Sequence, residues 1–415
     1  MKILLSAYAC QPDCGSERGV GWNWAWHLAQ MGHEIWVLTN SNGKEKIEQI
    51  LALNSMPNLH FIYVDATKWI KHHIKNLVRF FGNQIDYLNW QQQAYKIARQ
   101  LDREHQFDLV HHVTLSSITG GTHLWQLNKP FVFGPVGGGQ IAPPRFKKYF
   151  CGQWTKEALR SSINQHLISF NLNTRKTLSQ ADLVLVTNQE TFDLAEREGA
   201  HRIKFFLDTG LPQDYFAQKF PIRKNSSELR LLWVGRLLPR KGLPLVLEAL
   251  TKVNPDIPFK MTIVGAGPLS NCVSNWIKEF SLDERIEYLG FVPWHELRDE
   301  YLKSEVFFFT SLRDSFGSQF LEAMAYGLPI ITLNHHGARD FIPDRAGIKV
   351  SVTSPTETVN LLARAVEYMY KNPQQRLNMG SIGYNFAKTQ SWSRRAVKIS
   401  KYYGELITQK KDLEN

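Results

Sequence analysis

Short apolar runs recur along the chain, each followed by a glycine-bearing turn and then by a longer stretch with apolar residues at helical spacing. Ile35-Trp36-Val37-Leu38, Phe131-Val132-Phe133, Leu183-Val184-Leu185-Val186, Leu231-Leu232-Trp233-Val234, Met261-Thr262-Ile263-Val264, Val306-Phe307-Phe308-Phe309 and Ile330-Ile331-Thr332-Leu333 are examples. Runs that are apolar on both faces and alternate with helices predict parallel strands covered on two sides. The amino terminus, Met1 to Tyr8, reads as a first buried strand, and Asp108-Leu109-Val110-His111-His112 as a strand end. Strand alternation places His111 and His112 on opposite faces. Helical spacing covers Trp22–Met31, Leu243–Leu250 and Trp392–Leu406, and a further helix starts near Ser318. The class is α/β.

The strand-helix pattern breaks over Gln213 to Leu229, which holds Pro221, Lys224, Asn225, Ser226 and Ser227 without apolar periodicity, and then restarts. A hinge near Thr209 to Pro221 therefore divides the chain. Residues 1–210 are expected to form one Rossmann-like domain and 211–390 a second. The helix in 391–415 is expected to cross back to the first, and Gln409–Asn415 to fray. A length of 415 residues and an apolar fraction of 43% against 21% charged suit two globular domains.

Forty-nine Lys plus Arg against 38 Asp plus Glu leave a formal charge of +11. Such an excess attracts anions of any kind: nucleic acid, acidic headgroups or a phosphorylated small molecule. No helix-turn-helix, zinc or aromatic-strand signature accompanies it, so a nucleic-acid partner is not expected. Cys10, Cys14, Cys151 and Cys272 are scattered and lack the second close pair of a structural zinc site. They read as free thiols in a reducing compartment. The first residues are too short an apolar run for a secretory leader, and no stretch reaches the ~18 apolar residues of a membrane span. The expected location is cytoplasmic, with any membrane contact peripheral.

The chemistry concentrates in the second half. Leu231–Val234 runs into Gly235-Arg236-Leu237-Leu238-Pro239-Arg240-Lys241-Gly242. Ligands of open parallel sheets sit beyond the carboxyl ends of the strands, so Arg236 and Lys241 fall at the mouth of a crevice and suit a diphosphate. The strand Val306–Phe309 leads to a loop with Asp314, Phe316 and Gly317, and the helix from Ser318 aims its first-turn amides and dipole at the same place. Glu322, one turn in, can accept two hydrogen bonds from vicinal hydroxyls such as a ribose offers. Asp314 can reach hydroxyls further along the ligand.

These stretches resemble a known family. Gly235-Arg236-Leu237 with Lys241-Gly242, Ile263-Val264-Gly265-Ala266-Gly267-Pro268, Leu289-Gly290-Phe291-Val292-Pro293 and the acid-x7-acid segment ending Leu321-Glu322-Ala323-Met324-Ala325 together are similar to the family-4 (group 1) retaining glycosyltransferases. The resemblance implies the GT-B fold, two Rossmann-like domains facing each other across a cleft, and a nucleoside-diphosphate sugar as donor. It implies that Arg236 and Lys241 hold the diphosphate and Glu322 the ribose. Asp314, Phe316 and Gly317 would then face the transferred sugar, with Phe291 and Val292 bordering the base. The acceptor would be a glycan or lipid-linked glycan, as in polysaccharide or lipopolysaccharide synthesis. Two departures stand out: the first acid is Asp314 where the family has Glu, and Gly134-Pro135-Val136-Gly137-Gly138-Gly139-Gln140 follows a strand where many relatives place a histidine. Backbone amides of Gly137, Gly138 and Gly139 are expected to bond the ligand instead.

In the first half, Gly15, Gly19 and Gly21 punctuate Gly15-Ser16-Glu17-Arg18-Gly19-Val20-Gly21, where glycines let amides approach a phosphate or sugar. His111 or His112 either orients a substrate or is a buried, hydrogen-bonded histidine. Residues 68–81 are expected to form a helix with Lys71, Lys75 and Arg79 on one edge, and 145–150 repeat the basic and aromatic mixture. Either could rest on anionic headgroups or simply cover the domain. No Asp-x-Asp occurs, so no obligatory metal and no cofactor is expected. Two alternatives share the scaffold, a nucleotide-sugar epimerase and a non-catalytic nucleotide-sugar-binding protein.

Overall fold

A computed structural model describes residues 1–65, 75–223 and 227–414. Two units emerge: Met1–Gly139 with Ile163–Gly210 and Trp392–Asn415, and Gln140–Ser162 with Leu211–Ser391. The first carries strands β1 Lys2–Ala7, β2 Glu34–Thr39, β3 Leu59–Tyr63, β4 Leu109–Thr114, β5 Phe131–Val136, β6 Leu183–Val186 and β7 Ile203–Phe205. They lie in the order β3-β2-β1-β4-β5-β6-β7, with every pairing parallel. The second carries β8 Leu229–Val234, β9 Phe259–Val264, β10 Ile286–Gly290, β11 Val306–Phe308, β12 Ile330–Leu333 and β13 Gly347–Val350. Their order, β10-β9-β8-β11-β12-β13, is again all parallel.

Both sheets are doubly wound and reverse their strand order once, between β1 and β4 in the first and between β8 and β11 in the second. A crevice opens at such a reversal because the loops leaving the two strands diverge to opposite faces. The strands there are buried on both sides, as the residues of β4, β6 and β12 are throughout. Their uninterrupted apolar runs follow from that burial.

In the first unit, one face of the sheet is covered by a cluster around Trp24, Trp392 and Tyr403, and the other by Trp90, Phe107, Phe131 and Phe133. Helix Trp392–Glu414 packs on helix Ser16–Gln30, with Trp24 and Trp392 edge to face at 5.6 Å. Burial lowers the Arg395 guanidinium to about 9, against the pull of Asp208, and its carbon lies 4.5 Å from the Phe206 ring centroid. The helix does not stop at Leu406, and the tail does not fray at Gln409. It continues to Glu414 because Arg202 Nη1 donates to Gln409 Oε1 at 2.9 Å and Lys410 Nζ to Asn128 O at 2.6 Å.

The expectation of one continuous domain over 1–210 needs correction: residues 140–162 belong to the second unit. Phe146, Tyr149 and Phe150 are buried there. Lys148 donates to both oxygens of Glu248 at 2.9 Å, and Glu157 holds Arg313 with two hydrogen bonds. Of the basic and aromatic mixture at 145–150, the rings fill the unit's own core while Arg145, Lys147 and Lys148 are exposed. The basic stretch 68–81 lies outside the residues whose side chains are described. Among the described residues no helix is long and apolar enough to cross a membrane.

Candidate active site

The loop that leaves β8 is pinned to its neighbours before it reaches the crevice. Gly235 N donates to Val264 O and Leu237 N to Ala266 O, both at 3.0 Å, which lays the β8 loop against the β9 loop. That approach explains Gly265: its φ is +140°, and a Cβ there would stand 1.9 Å from Gly235 O. The loop then turns through Pro239–Lys241 into helix Leu243–Leu250. On its other side, Leu312 N donates to Arg240 O at 2.7 Å and Thr310 Oγ1 to Gly242 O at 3.0 Å, joining it to the loop after β11. The two loops at the reversal therefore form one hydrogen-bonded body.

Inside it, Lys241 is buried and its ammonium donates to Asp314 Oδ2. Arg240 Nη1 donates to Asp314 Oδ1 at 3.0 Å, and Ser311 Oγ donates to Oδ2 at 3.3 Å. Burial alone would raise the Asp314 carboxyl, but Lys241 and Arg240 overcome it and hold the group well below the usual carboxylate range. Asp314 was expected to face a sugar. It turns instead onto the cations, with 20% of its side chain exposed. Arg236 is exposed, and its guanidinium has no partner among the described residues.

Helix Ser318–Ala325 starts with Gly317 as its N-cap and no side-chain cap, so its first amides remain open to an anion. Glu322 is buried and its Oε2 accepts from Tyr301 Oη at 2.9 Å. Burial raises its carboxyl above the usual value, against hydrogen bonds from Tyr301, Trp294 and Ser318. The carboxylate expected to meet two ligand hydroxyls is thus already supplied with protein donors. Trp294 stacks on Tyr215 at 4.5 Å, and next to it Phe291 is 73% exposed while Val292 is partly covered. Phe316 is a correction: it is buried between the Phe320 and Phe341 rings at 5.6 and 5.9 Å and does not face a ligand.

The first unit yields less. Both histidines are fully buried, one on each face of a sheet covered on both sides. His111 Nε2 meets Gly134 O at 2.6 Å, so it carries the proton, and Nδ1 accepts from Tyr403 Oη at 2.5 Å. His112 lies between Ser6 Oγ at 3.0 Å and Tyr87 Oη at 3.1 Å. Burial drives both imidazoles down to about 3, with the Gly134 bond opposing this at His111. Their protein partners take up both ring nitrogens, which assigns them to structure. Gly15 caps helix Ser16–Gln30, whereas Gly19 and Gly21 lie within it, where a Cβ would strike Cys14 O and Ala9 O. They serve packing, not a phosphate. The amides of Gly137 and Gly139 are likewise committed, to Ser116 O at 3.0 Å and Thr191 Oγ1 at 3.1 Å, and Gly138 takes φ +123°.

Sequence reasoning passed over several residues. Arg240 shares the loop with Lys241 and was visible as an Arg-Lys pair. Tyr301 and Trp294 are separated from Glu322 along the chain and gave no signal. Gln140 Nε2 donates to Ser315 Oγ at 3.0 Å, beside Asp314. At the reversal of the first sheet, Glu17 accepts from Ser116 N at 3.0 and 3.2 Å, and burial raises its carboxyl against those bonds.

Residues 214–386, which include this whole loop body, match the profile of the family described as glycosyl transferases group 1. Over those residues, less than half of its length, the chain is similar to the group 1 glycosyl transferases. Curated proteins similar to this chain include a D-inositol 3-phosphate glycosyltransferase of Paenarthrobacter aurescens, 29% identical over 243 residues that cover 55% of this chain and 58% of that protein. Another is the putative colanic acid biosynthesis glycosyltransferase WcaL of Escherichia coli, 25% identical over 177 residues, 40% of this chain and 43% of that protein. The chain thus spans about half the length of the curated relatives it matches. Among solved structures, sucrose-phosphate synthase from Thermosynechococcus elongatus superposes with TM-score 0.68 at 18% identity, over 98% of this chain and 99% of that one. HepE of Anabaena in complex with UDP gives 0.65 at 16%, over 98% and 100%. These likenesses establish the GT-B fold for the chain.

Proposed function

We propose that the protein transfers a sugar from a nucleoside-diphosphate sugar to a hydroxyl of a glycan or lipid-linked glycan, retaining the anomeric configuration and needing no metal. The observation that carries this reading is the convergence, at one strand-order reversal, of Arg236, Arg240, Lys241 and an uncapped helix N-terminus within a group 1 domain. Relatives named for inositol phosphate and colanic acid, and a solved fold-mate holding UDP, support a nucleotide-sugar donor and a glycan-type acceptor.

In this reading the bond between the anomeric carbon and the diphosphate oxygen breaks, and negative charge grows on the leaving group. Arg236, Lys241 and the Ser318 helix end meet that charge with donors already in place; losing one such donor costs about 3–4 kcal/mol of transition-state stabilisation. The acceptor oxygen forms the new bond to the anomeric carbon, and its proton passes to the departing phosphate oxygen. Glu322 holds the ribose after exchanging part of its internal hydrogen bonding, and Phe291 lies beside the base. Asp314 relinquishes its cations to the diphosphate and turns to the sugar.

Thermal-shift screening against UDP, GDP and ADP sugars, beginning with UDP-glucose, identifies the donor through ligand-linked stabilisation. Product analysis by NMR then reads the anomeric configuration, and a chelator arm reads metal dependence. The proposal fails if no nucleotide sugar stabilises the protein. Inversion or loss of turnover with chelator would overturn its finer parts. Turnover of donor to an isomeric nucleotide sugar without acceptor would make the protein an epimerase, and binding without hydrolysis or transfer would make it a non-catalytic binder.

A further inference from the structure

The second sheet carries polar chemistry at its other edge as well. Glu305 immediately precedes β11 and Pro329 immediately precedes β12, and between them opens a cavity of about 160 Å³. That is room for several water molecules. Arg223, Arg376, Gln374 and Gly327 complete the part of the wall that matters here.

Charge is unbalanced there. Glu305 is buried, with Oε1 accepting from Arg376 Nη2 at 2.9 Å and Oε2 accepting from Arg230 N at 3.1 Å. The Arg230 guanidinium lies 3.5 Å from the same carboxylate, so one anion already serves two cations. Arg223 is a third cation, with no carboxylate of its own among the described residues. Its Nη2 donates to the carbonyls of Tyr301 at 2.9 Å and Tyr326 at 2.7 Å, while its Nε is buried without a hydrogen-bond partner among the described residues. Burial, together with repulsion from Arg230 and Arg376, lowers its guanidinium to about 10 despite Glu305, which leaves it charged at neutral pH.

The wall also includes the start of helix Pro373–Thr389. Asn372 gives no side-chain cap, and Arg376 N is satisfied by Asn372 O at 2.9 Å. The amide of Gln374 comes before any intrahelical acceptor and lies at the positive end of a five-turn dipole. An unpaired guanidinium nitrogen, surplus positive charge and an open amide around one recess together match an anion with several acceptor oxygens.

We propose that this cavity binds a phosphoryl anion, either inorganic phosphate or the terminal phosphate of a small phosphomonoester, at a site separate from the donor crevice. The inference does not depend on the glycosyl-transfer reading, because none of these residues lies at the carboxyl ends of the strands.

The test is calorimetric titration of inorganic phosphate into the full chain in chloride buffer, with nucleoside diphosphate present to fill the donor crevice. The expected result is saturable one-to-one binding, weakened at least tenfold by Gln374→Glu, which places a carboxylate in the recess at a helix position that tolerates one. Arg223→Lys, keeping the charge but deleting the guanidinium with its unpaired Nε, is expected to weaken binding as well. Gln374→Glu should melt as the wild type does in phosphate-free buffer, whereas Arg223→Lys also loses the bonds to the Tyr301 and Tyr326 carbonyls and should melt lower. Glycerol 3-phosphate in a parallel arm separates the sources: at least equal affinity assigns a monoester, and tenfold weaker affinity assigns the free ion. Absence of saturable binding, or equal binding by wild type and Gln374→Glu, overturns the proposal. So does loss of binding in Lys241→Ala with retention in Gln374→Glu, which would place the phosphate in the donor crevice. If the diphosphate itself does not bind, the glycosyl-transfer reading fails, while the difference between wild type and Gln374→Glu still reports on the cavity.

Discussion

Replacing Asp314 with Asn should separate stability from ligand affinity. The substitution keeps the shape of the side chain but removes the anion shared by Lys241 and Arg240. Removing one partner of a buried ion pair typically costs about 3–5 kcal/mol, because the other charge is left uncompensated. With a fifth of the Asp314 side chain exposed, the lower end, about 3 kcal/mol, is expected for the empty protein. A bound diphosphate reverses the balance, since it brings its own negative charge to the same cations. At an effective dielectric of ~20, a unit charge about 6 Å away repels a carboxylate by about 3 kcal/mol as an upper bound, which the Asn variant would not feel. Asp314→Asn should therefore be less stable in urea without ligand, bind nucleoside diphosphate more tightly than wild type, and still transfer sugar more slowly. A pH series adds a second check. The folded carboxyl sits below its unfolded value of about 3.9, so its stabilisation is complete above that pH and drains away on further acidification. The variant should lack that acid-limb loss. Equal stability of variant and wild type, or equal stabilisation by diphosphate, would refute the reasoning.

Arg236→Ala should leave the urea midpoint unchanged to within ~0.5 kcal/mol, since the side chain is exposed and unpaired. Donor turnover should fall by about 10²–10³-fold in the same preparation. The buried histidines give a pH signature: their folded values near 3 lie below the unfolded ~6.5, so the unfolded chain binds more protons between those limits. Stability should fall as pH drops below about 6.5, by up to about 1.4 kcal/mol per unit for each histidine, and His112→Gln should flatten the slope in urea titrations at pH 5 and 7. Glu157→Gln unpairs the buried Arg313 and should cost about 3–5 kcal/mol, read as new proteolytic cleavage within 140–162.

The sequence disclosed the strands that are buried and concealed those that are not. Every run read as a strand is an interior member of its sheet. β3, β7, β10 and β13 are the edges, and they carry partly exposed or alternating residues, so an apolar-run reading passes over them. The cations of the β8 loop and the helix after β11 were legible because strand ends and glycines mark them. The turning of Asp314 onto Lys241 was not, since it depends on a hydrogen-bonded contact between loops more than 70 residues apart. Nor was the placement of 140–162. Its apolar residues show that the segment is buried, but nothing local says against which sheet. The glycine runs misled for a related reason: a missing Cβ looks the same in sequence whether a ligand or a neighbouring carbonyl fills the space.

The membership of 140–162 bears on how such proteins can be recombined. A chimera cut once in the polar linker would carry a donor half from one parent and the strap that covers it from another. Phe146, Tyr149 and Phe150 would then meet an unfamiliar surface, and Arg313 would lose the carboxylate that neutralises it. Exchange of donor preference between homologues therefore calls for a second pair of splice points, one on either side of the strap. By the same logic, an expressed fragment beginning at Leu211 would leave that apolar seat bare to solvent.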